Sequence, residues 1–278
     1  MGYLLLAIFS SAMISISMRL SSGKVKSQFV MLAANYFVCA LLGGLYADFS
    51  LISAETTGMG LTVGLAVCNG MILLAGLVLL QISTHKNGLV LSSLFMKLGL
   101  LIPIIVSILF FHEVPTWLQV AGFCVAIGAI VLFNLKKGGD VGRVGIALFL
   151  LLLSNGGADT IVKVFEELGP AQLSDVFLCF SFSVAFVLSV GFILYKKERF
   201  EWNALLFGIL IGVVNFFSFK FLLGALAQIP AVVVFPTYSV ATMLVIAVSG
   251  ILFFKERLSK QQWLAFGGVI AALVMLNI

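Results

Sequence analysis

Four charged side chains interrupt apolar runs long enough to cross a bilayer, and they are where chemistry is possible: Lys97, Asp159, Lys163 and Lys220. A charge at a bilayer centre costs about 2.5–3.5 kcal/mol on insertion scales, so each one is a functional hypothesis by default. Lys97 stands ten residues after Asn87, about 15 Å along its helix, close to the midplane. It has no acidic residue three or four positions away. Asp159 and Lys220 lie at similar depths, about 24 to 26 Å along helices rising from Arg143 and Asn203. Asp159 therefore has two open pairings, with Lys163 one turn along its own helix or with Lys220. A buried ammonium can hold an anionic group of a solute, and a buried carboxylate can hold a cation or exchange a proton.

Around these charges lies a set of uncharged polar groups, Ser11, Ser15, Asn69, Asn155, Asn215, Thr237 and Tyr238. They could orient a small polar molecule or bond helix to helix. The candidate substrate-binding or coupling residues are Lys97, Asp159, Lys220, Asn69, Asn155, Asn215 and Tyr238. Pro103 in the fourth span and Pro230 and Pro236 in the ninth free backbone carbonyls and permit bending. An intramembrane enzyme would need a Ser and His, paired Asp residues or a metal motif within the spans. His85 and His112 fall at helix ends, and Asp159 is the clear intramembrane carboxylate. Cys39, Cys68, Cys124 and Cys179 are scattered through apolar runs without a C-x-x-C pair, so they read as small core residues. No enzyme activity, cofactor or metal is expected.

The elements that must position these groups follow from composition. Of 278 residues, 62% are hydrophobic and 10% charged, with a mean hydropathy of +1.22. Soluble domains carry about 25% charged residues. This excludes a soluble globular domain, a disordered chain and a nucleic-acid binder. Runs of about 20 apolar residues, the length needed to span a bilayer, predict ten helices: Gly2–Met18, Gln28–Ala47, Gly58–Gln81, Asn87–Phe111, Trp117–Leu135, Val144–Val164, Gln172–Tyr195, Asn203–Ala227, Ala231–Phe254 and Gln261–Ile278. In the first run the positive charges Arg19, Lys24 and Lys26 come after the apolar stretch, the reverse of a signal peptide, so it reads as a retained helix. The motifs Gly60-x-x-x-Gly64 and Gly208-x-x-x-Gly212 predict close helix packing.

The chain repeats itself. A shift of 143 residues sets Phe110–Asn134 on Phe253–Asn277 with nine identities in 25 positions, among them Glu113 with Glu256, Gln119 with Gln262 and Asn134 with Asn277. Weaker matches pair Asn69 with Asn215, which predicts that these two face each other across a pseudo-twofold axis, and Ser10–Arg19 with Ser154–Lys163. The unit is five helices, residues 1–138 and 139–278. An odd unit repeated in one chain enters the membrane in opposite senses. Charge agrees, since 13 of 16 Lys and Arg residues fall at one end of the predicted helices. The other end carries Asp48, Glu55, Glu113, Glu166 and Glu167. The expected fold is an all-α integral membrane protein with ten transmembrane helices in two inverted five-helix repeats. By the positive-inside rule both termini lie outside the cytoplasm.

Two five-helix halves, each with a Glu after its fourth helix, resemble the drug/metabolite transporter superfamily, EamA-like branch. Glu113 is followed by Gln119 and Gly122, and Glu256 by Gln262 and Ala265, similar to that family's Glu-Arg-Leu...Gln...Gly pattern. Val114-Pro115 and Ala265 depart from it. The resemblance implies a central cavity lined by the first, third, fourth, sixth, eighth and ninth helices, with the fifth and tenth peripheral. It also implies amino acids, metabolites or drugs as substrates. The expected function is a secondary active transporter working by alternating access in the cytoplasmic membrane, the alternative being a non-transporting helper or receptor subunit. Expected partners are a small-molecule solute and the lipid bilayer, with coupled protons and a second copy of the chain as further candidates, and no nucleic acid.

Overall fold

The structure is a computed structural model that describes residues 1–21, 23–48, 50, 57–87, 89–134, 146–254 and 260–277. All regular elements among the described residues are helical. They are α1 (Gly2–Ser21), α2 (Gln28–Tyr46), α3 (Met59–Asn87), α4 (Leu89–Leu98), α5 (Leu101–Phe110), α6 (Trp117–Asn134), α7 (Ile146–Leu168), α8 (Ser174–Lys196), α9 (Trp202–Leu226), α10 (Ala231–Phe254) and α11 (Lys260–Asn277). Seven of these contain stretches long and apolar enough to cross a membrane, and three shorter apolar stretches, Phe95–Phe110, Trp117–Leu132 and Trp263–Asn277, accompany them. Expected features at Glu55, Lys136, Lys137, Arg143, Lys255, Glu256 and Arg257 lie outside the described residues.

Two compact units emerge, each drawing on both halves of the sequence: Met1–Leu74 with Ile161–Ala227, and Ala75–Thr160 with Gln228–Ile278. In the first unit α2 is central and packs on α8 and α9, while α1 packs on α9. Every residue from Phe29 to Tyr36 is buried, so this stretch of α2 is covered around its circumference, as a helix surrounded by other helices is. Gly208 and Gly212 make the approach of α9 possible. A Cβ on Gly208 would collide with Met31 O, and one on Gly212 would lie 2.7 Å from Asn35 O. The other small-residue motif behaves differently, because a Cβ at Gly60 or Gly64 would meet open space.

The entry of α2 is held from a distance. Glu201 precedes α9, and its Oε2 accepts hydrogen bonds from the backbone N–H groups of Lys26 (2.9 Å) and Ser27 (3.1 Å). Ser27 Oγ in turn donates to Arg199 O at 2.8 Å. Amides at a helix entry lack intrahelical partners and favour negative charge. These two donors hold the half-buried Glu201 carboxyl below the usual carboxylate range.

In the second unit α6 packs along α11, and α10 touches α11, α5 and α6. Glu113, in the α5–α6 connection, caps α10, its Oε1 and Oε2 each 3.0 Å from the amides of Ala231 and Val232. Pro230 precedes α10 rather than lying within it, and its carbonyl accepts from Val233 and Val234 at 3.0 Å. A proline in that place loses nothing, since its missing N–H would have had no partner. Pro236 does lie inside the helix.

Two boundaries differ from the sequence expectation. Helix α3 runs on to Asn87, through the expected linker after Gln81. The fourth span, expected as one helix from Asn87 to Phe111, is two ten-residue helices broken at Gly99 and Leu100. Pro103 explains the break, because it has no N–H for the carbonyl four residues back, at Gly99, and its ring crowds that carbonyl. The Gly99 carbonyl instead accepts from Ile102 at 3.0 Å, in a tighter turn.

Candidate site at the break in the fourth span

The break creates a polar place in an apolar unit. Where α4 stops, its last carbonyls lack the N–H donors that a continuing helix would supply. Met96 O accepts from Gly99 N at 3.3 Å and from Asn155 Nδ2 of α7 at 3.0 Å. Gly156, the next residue of α7, lies directly on the break. A Cβ there would collide with Gly99 O and would lie 2.7 Å from Ile102 Cδ1, and a Cβ on Gly99 would lie 2.9 Å from Gly156 N. Backbone thus meets backbone, with a side-chain amide bridging the two helices.

Lys97 occupies the last turn of α4, where the helix dipole favours a cation. Asp159 is one turn beyond Asn155 on α7, so the two share a face. The ammonium of Lys97 and the carboxylate of Asp159 lie in direct Coulomb range, and both residues are half-buried. No ion pair within 4.0 Å joins either to another described residue. A cation and an anion therefore lie near enough to influence each other without an ion-pair contact. An amide that bridges to a freed carbonyl stands beside them. Such an arrangement can bind a solute carrying both charges, or move a proton on and off Asp159.

The remaining expected site residues have other partners. Lys220 forms an ion pair with Asp175 at 2.8 Å and stands 3.8 Å over the Tyr46 ring. Lys163 is buried and pairs with Glu166 (3.0 Å) and Glu167 (2.5 Å). Neither expected pairing of Asp159, with Lys163 or with Lys220, is therefore observed, and the opposite charge that acts on Asp159 is Lys97, without an ion-pair contact. Asn69 and Asn215 are each bonded to another helix rather than to each other. Asn69 Nδ2 donates to Ser181 Oγ of α8 at 3.3 Å, and Asn215 Nδ2 donates to Asn35 Oδ1 of α2 at 3.2 Å. These two bonds are themselves a repeated pair, because Asn215 follows Asn69 by 146 residues and Ser181 follows Asn35 by the same 146. Tyr238 is half-buried on α10, beside Thr237, whose Oγ1 is 3.3 Å from Asn277 Nδ2. Ser15 Oγ donates back to Ser11 O at 3.3 Å within α1.

Sequence reading missed Asp175 and Tyr46 as partners of Lys220. Asp175 was visible as an acid in the first turn of a helix, the position the dipole favours. It lies 45 residues from Lys220, beyond the reach of helical spacing rules.

Comparison with known proteins agrees with this architecture. An uncharacterized protein of Haemophilus influenzae is 25% identical over 98% of this chain and 95% of its own length. A solved crystal structure superposes with a TM-score of 0.72 over 98% of this chain and 94% of that one, at 12% identity, a likeness of fold. Residues 144–278 match the EamA-like transporter family. The second half of the chain is thus similar to the EamA-like transporter family, a family of membrane transporters.

Proposed function

We propose that this chain is a secondary carrier that moves a small polar solute across the cytoplasmic membrane by alternating access. The observation that carries the reading is the break at Gly99–Leu100, with Lys97, Asn155 and Asp159 around it. Discontinuous helices at mid-membrane are where many secondary carriers hold substrate and coupling ions. One cation and one anion out of mutual contact favour a zwitterion such as an amino acid, with its carboxylate toward Lys97 and its ammonium toward Asp159. Proton exchange at Asp159 is the coupling step this geometry allows.

Support for two inverted five-helix repeats comes from the Phe110–Asn134 match and from the Asn69–Ser181 and Asn215–Asn35 bonds at one constant spacing. The positive-inside rule then sets both termini outside the cytoplasm. Flux of labelled amino acids into proteoliposomes, with and without a pH gradient, tests the reading. Transport should be lost in Lys97→Ala and in Asp159→Asn. Undiminished transport in both variants would remove the site, and a C-terminal reporter active only in the cytoplasm would, if active, overturn the sidedness.

A further inference from the structure

An apolar groove of about 290 Å³ opens in the first unit, walled by Ala33 and Phe37 of α2, Phe186 and Ile193 of α8 and Leu205 of α9. Glu198 and Phe200, on the α8–α9 connection, complete it. Glu198 is the charged residue of this lining, and its Oε2 is buried without a hydrogen-bond donor among the described residues. A desolvated carboxylate oxygen with no donor is costly and calls for a cation or an N–H group. Basic residues stand on the neighbouring connections, and none is among the described residues that line the groove. Lys24, Lys26, Lys196, Lys197 and Arg199 are exposed, and Lys196 Nζ is 4.5 Å over the Phe29 ring.

These basic residues are presented together. The bond from Ser27 to Arg199 and those from Lys26 and Ser27 to Glu201 fasten the α1–α2 connection to the α8–α9 connection. Exposed aromatics flank the same place: Tyr195, Phe200 and Trp202 are 84%, 62% and 70% exposed. Aromatic side chains beside Lys and Arg at the end of spanning helices mark the headgroup level of a bilayer. One end of the groove thus lies at headgroup depth, and its walls run down α2 and α8 as an acyl chain would.

We propose that this groove binds a phospholipid with a primary-amine headgroup, phosphatidylethanolamine. The ammonium donates to Glu198, the phosphate lies among the basic side chains of the two connections, and an acyl chain fills the groove. Charge complementarity selects this headgroup. A purely anionic lipid would satisfy the Lys and Arg residues but set its phosphate against Glu198, and a choline headgroup has no N–H to donate.

The test uses the purified full-length chain in mixed micelles with equal amounts of ethanolamine, choline and glycerol phospholipids of one acyl composition, retained lipid being read by native mass spectrometry. The ethanolamine lipid should be retained about tenfold over the choline lipid, the factor a charged hydrogen bond supplies. Glu198→Gln should abolish that preference. Ile193→Trp, which fills the groove and leaves the carboxylate in place, should lower ethanolamine-lipid retention by a similar factor. Equal retention of the three lipids, preference for the glycerol lipid, or an ethanolamine preference that survives Glu198→Gln would each overturn the proposal.

Discussion

Glu113 reaches the helix that begins at Ala231, its Oε1 3.0 Å from the Ala231 amide and its Oε2 3.0 Å from that of Val232, across 118 residues of sequence. One carboxylate therefore satisfies two donors that the helix itself cannot. Both belong to the stretch Ala231–Thr237, which is buried throughout. Water is a poor substitute there, because a buried amide without a partner costs about 1–3 kcal/mol.

Glu113→Ala should accordingly lower stability by about 2 kcal/mol, at the upper end of measured helix-cap losses. Glu113→Gln keeps one acceptor and should lose about half of that. Thermal unfolding of the detergent-purified variants measures both. A loss below about 0.5 kcal/mol in the alanine variant would mean that the cap contributes no more than an ordinary surface residue.

The two small-residue motifs should respond in opposite directions. Gly212→Ala forces a Cβ to within 2.7 Å of Asn35 O and 2.8 Å of Val38 Cβ, an overpacking that costs about 1–3 kcal/mol. Gly64→Ala meets open space and should stabilise by about 0.5–1 kcal/mol, the helix-interior advantage of Ala over Gly. Melting temperatures of the two variants, measured side by side, check the sign of each effect.

Glu201 makes an acid-side prediction. Its carboxyl is held below the ordinary range by the amides of Lys26 and Ser27. Its stabilising contribution is therefore complete above the unfolded glutamate value of about 4.3 and fades as pH falls through the lower folded value. Between about pH 5 and pH 3 the melting temperature of the native chain should fall more steeply than that of Glu201→Gln. Parallel curves for the two proteins would show that the carboxylate makes no differential contribution.

How far the sequence reaches is clear from particular residues. The apolar runs predicted the helices well, because the bilayer requires a length of about 20 residues whatever the packing. The break at Gly99 was foreshadowed by Pro103 but not located, since a proline frees a carbonyl and tertiary contacts decide where the chain yields. Here Gly156 lies on the break and Asn155 bonds to Met96 O. Lys97 and Asp159 stood out as charges in apolar runs, but their mutual influence did not. They are 62 residues apart, and depth along a helix says nothing about which face turns toward which neighbour. For the same reason the match of Asn69 with Asn215 did not reveal their partners, Ser181 and Asn35.

Lys97 and Asp159 give the sharpest test of the site. If each charge compensates the other, Lys97→Met and Asp159→Asn should each destabilise the chain by about 1–2 kcal/mol, less than a fully buried pair would lose because both are half-exposed. The double variant should then be more stable than the sum of the single losses predicts, by an interaction energy of about 0.5–1.5 kcal/mol. Transport should behave otherwise. A binding site that needs both charges is not restored by removing both, so the double variant should recover stability and remain inactive. Strict additivity in thermal unfolding would show that the two charges do not compensate each other. Recovery of transport in the double variant would show that the solute uses neither charge.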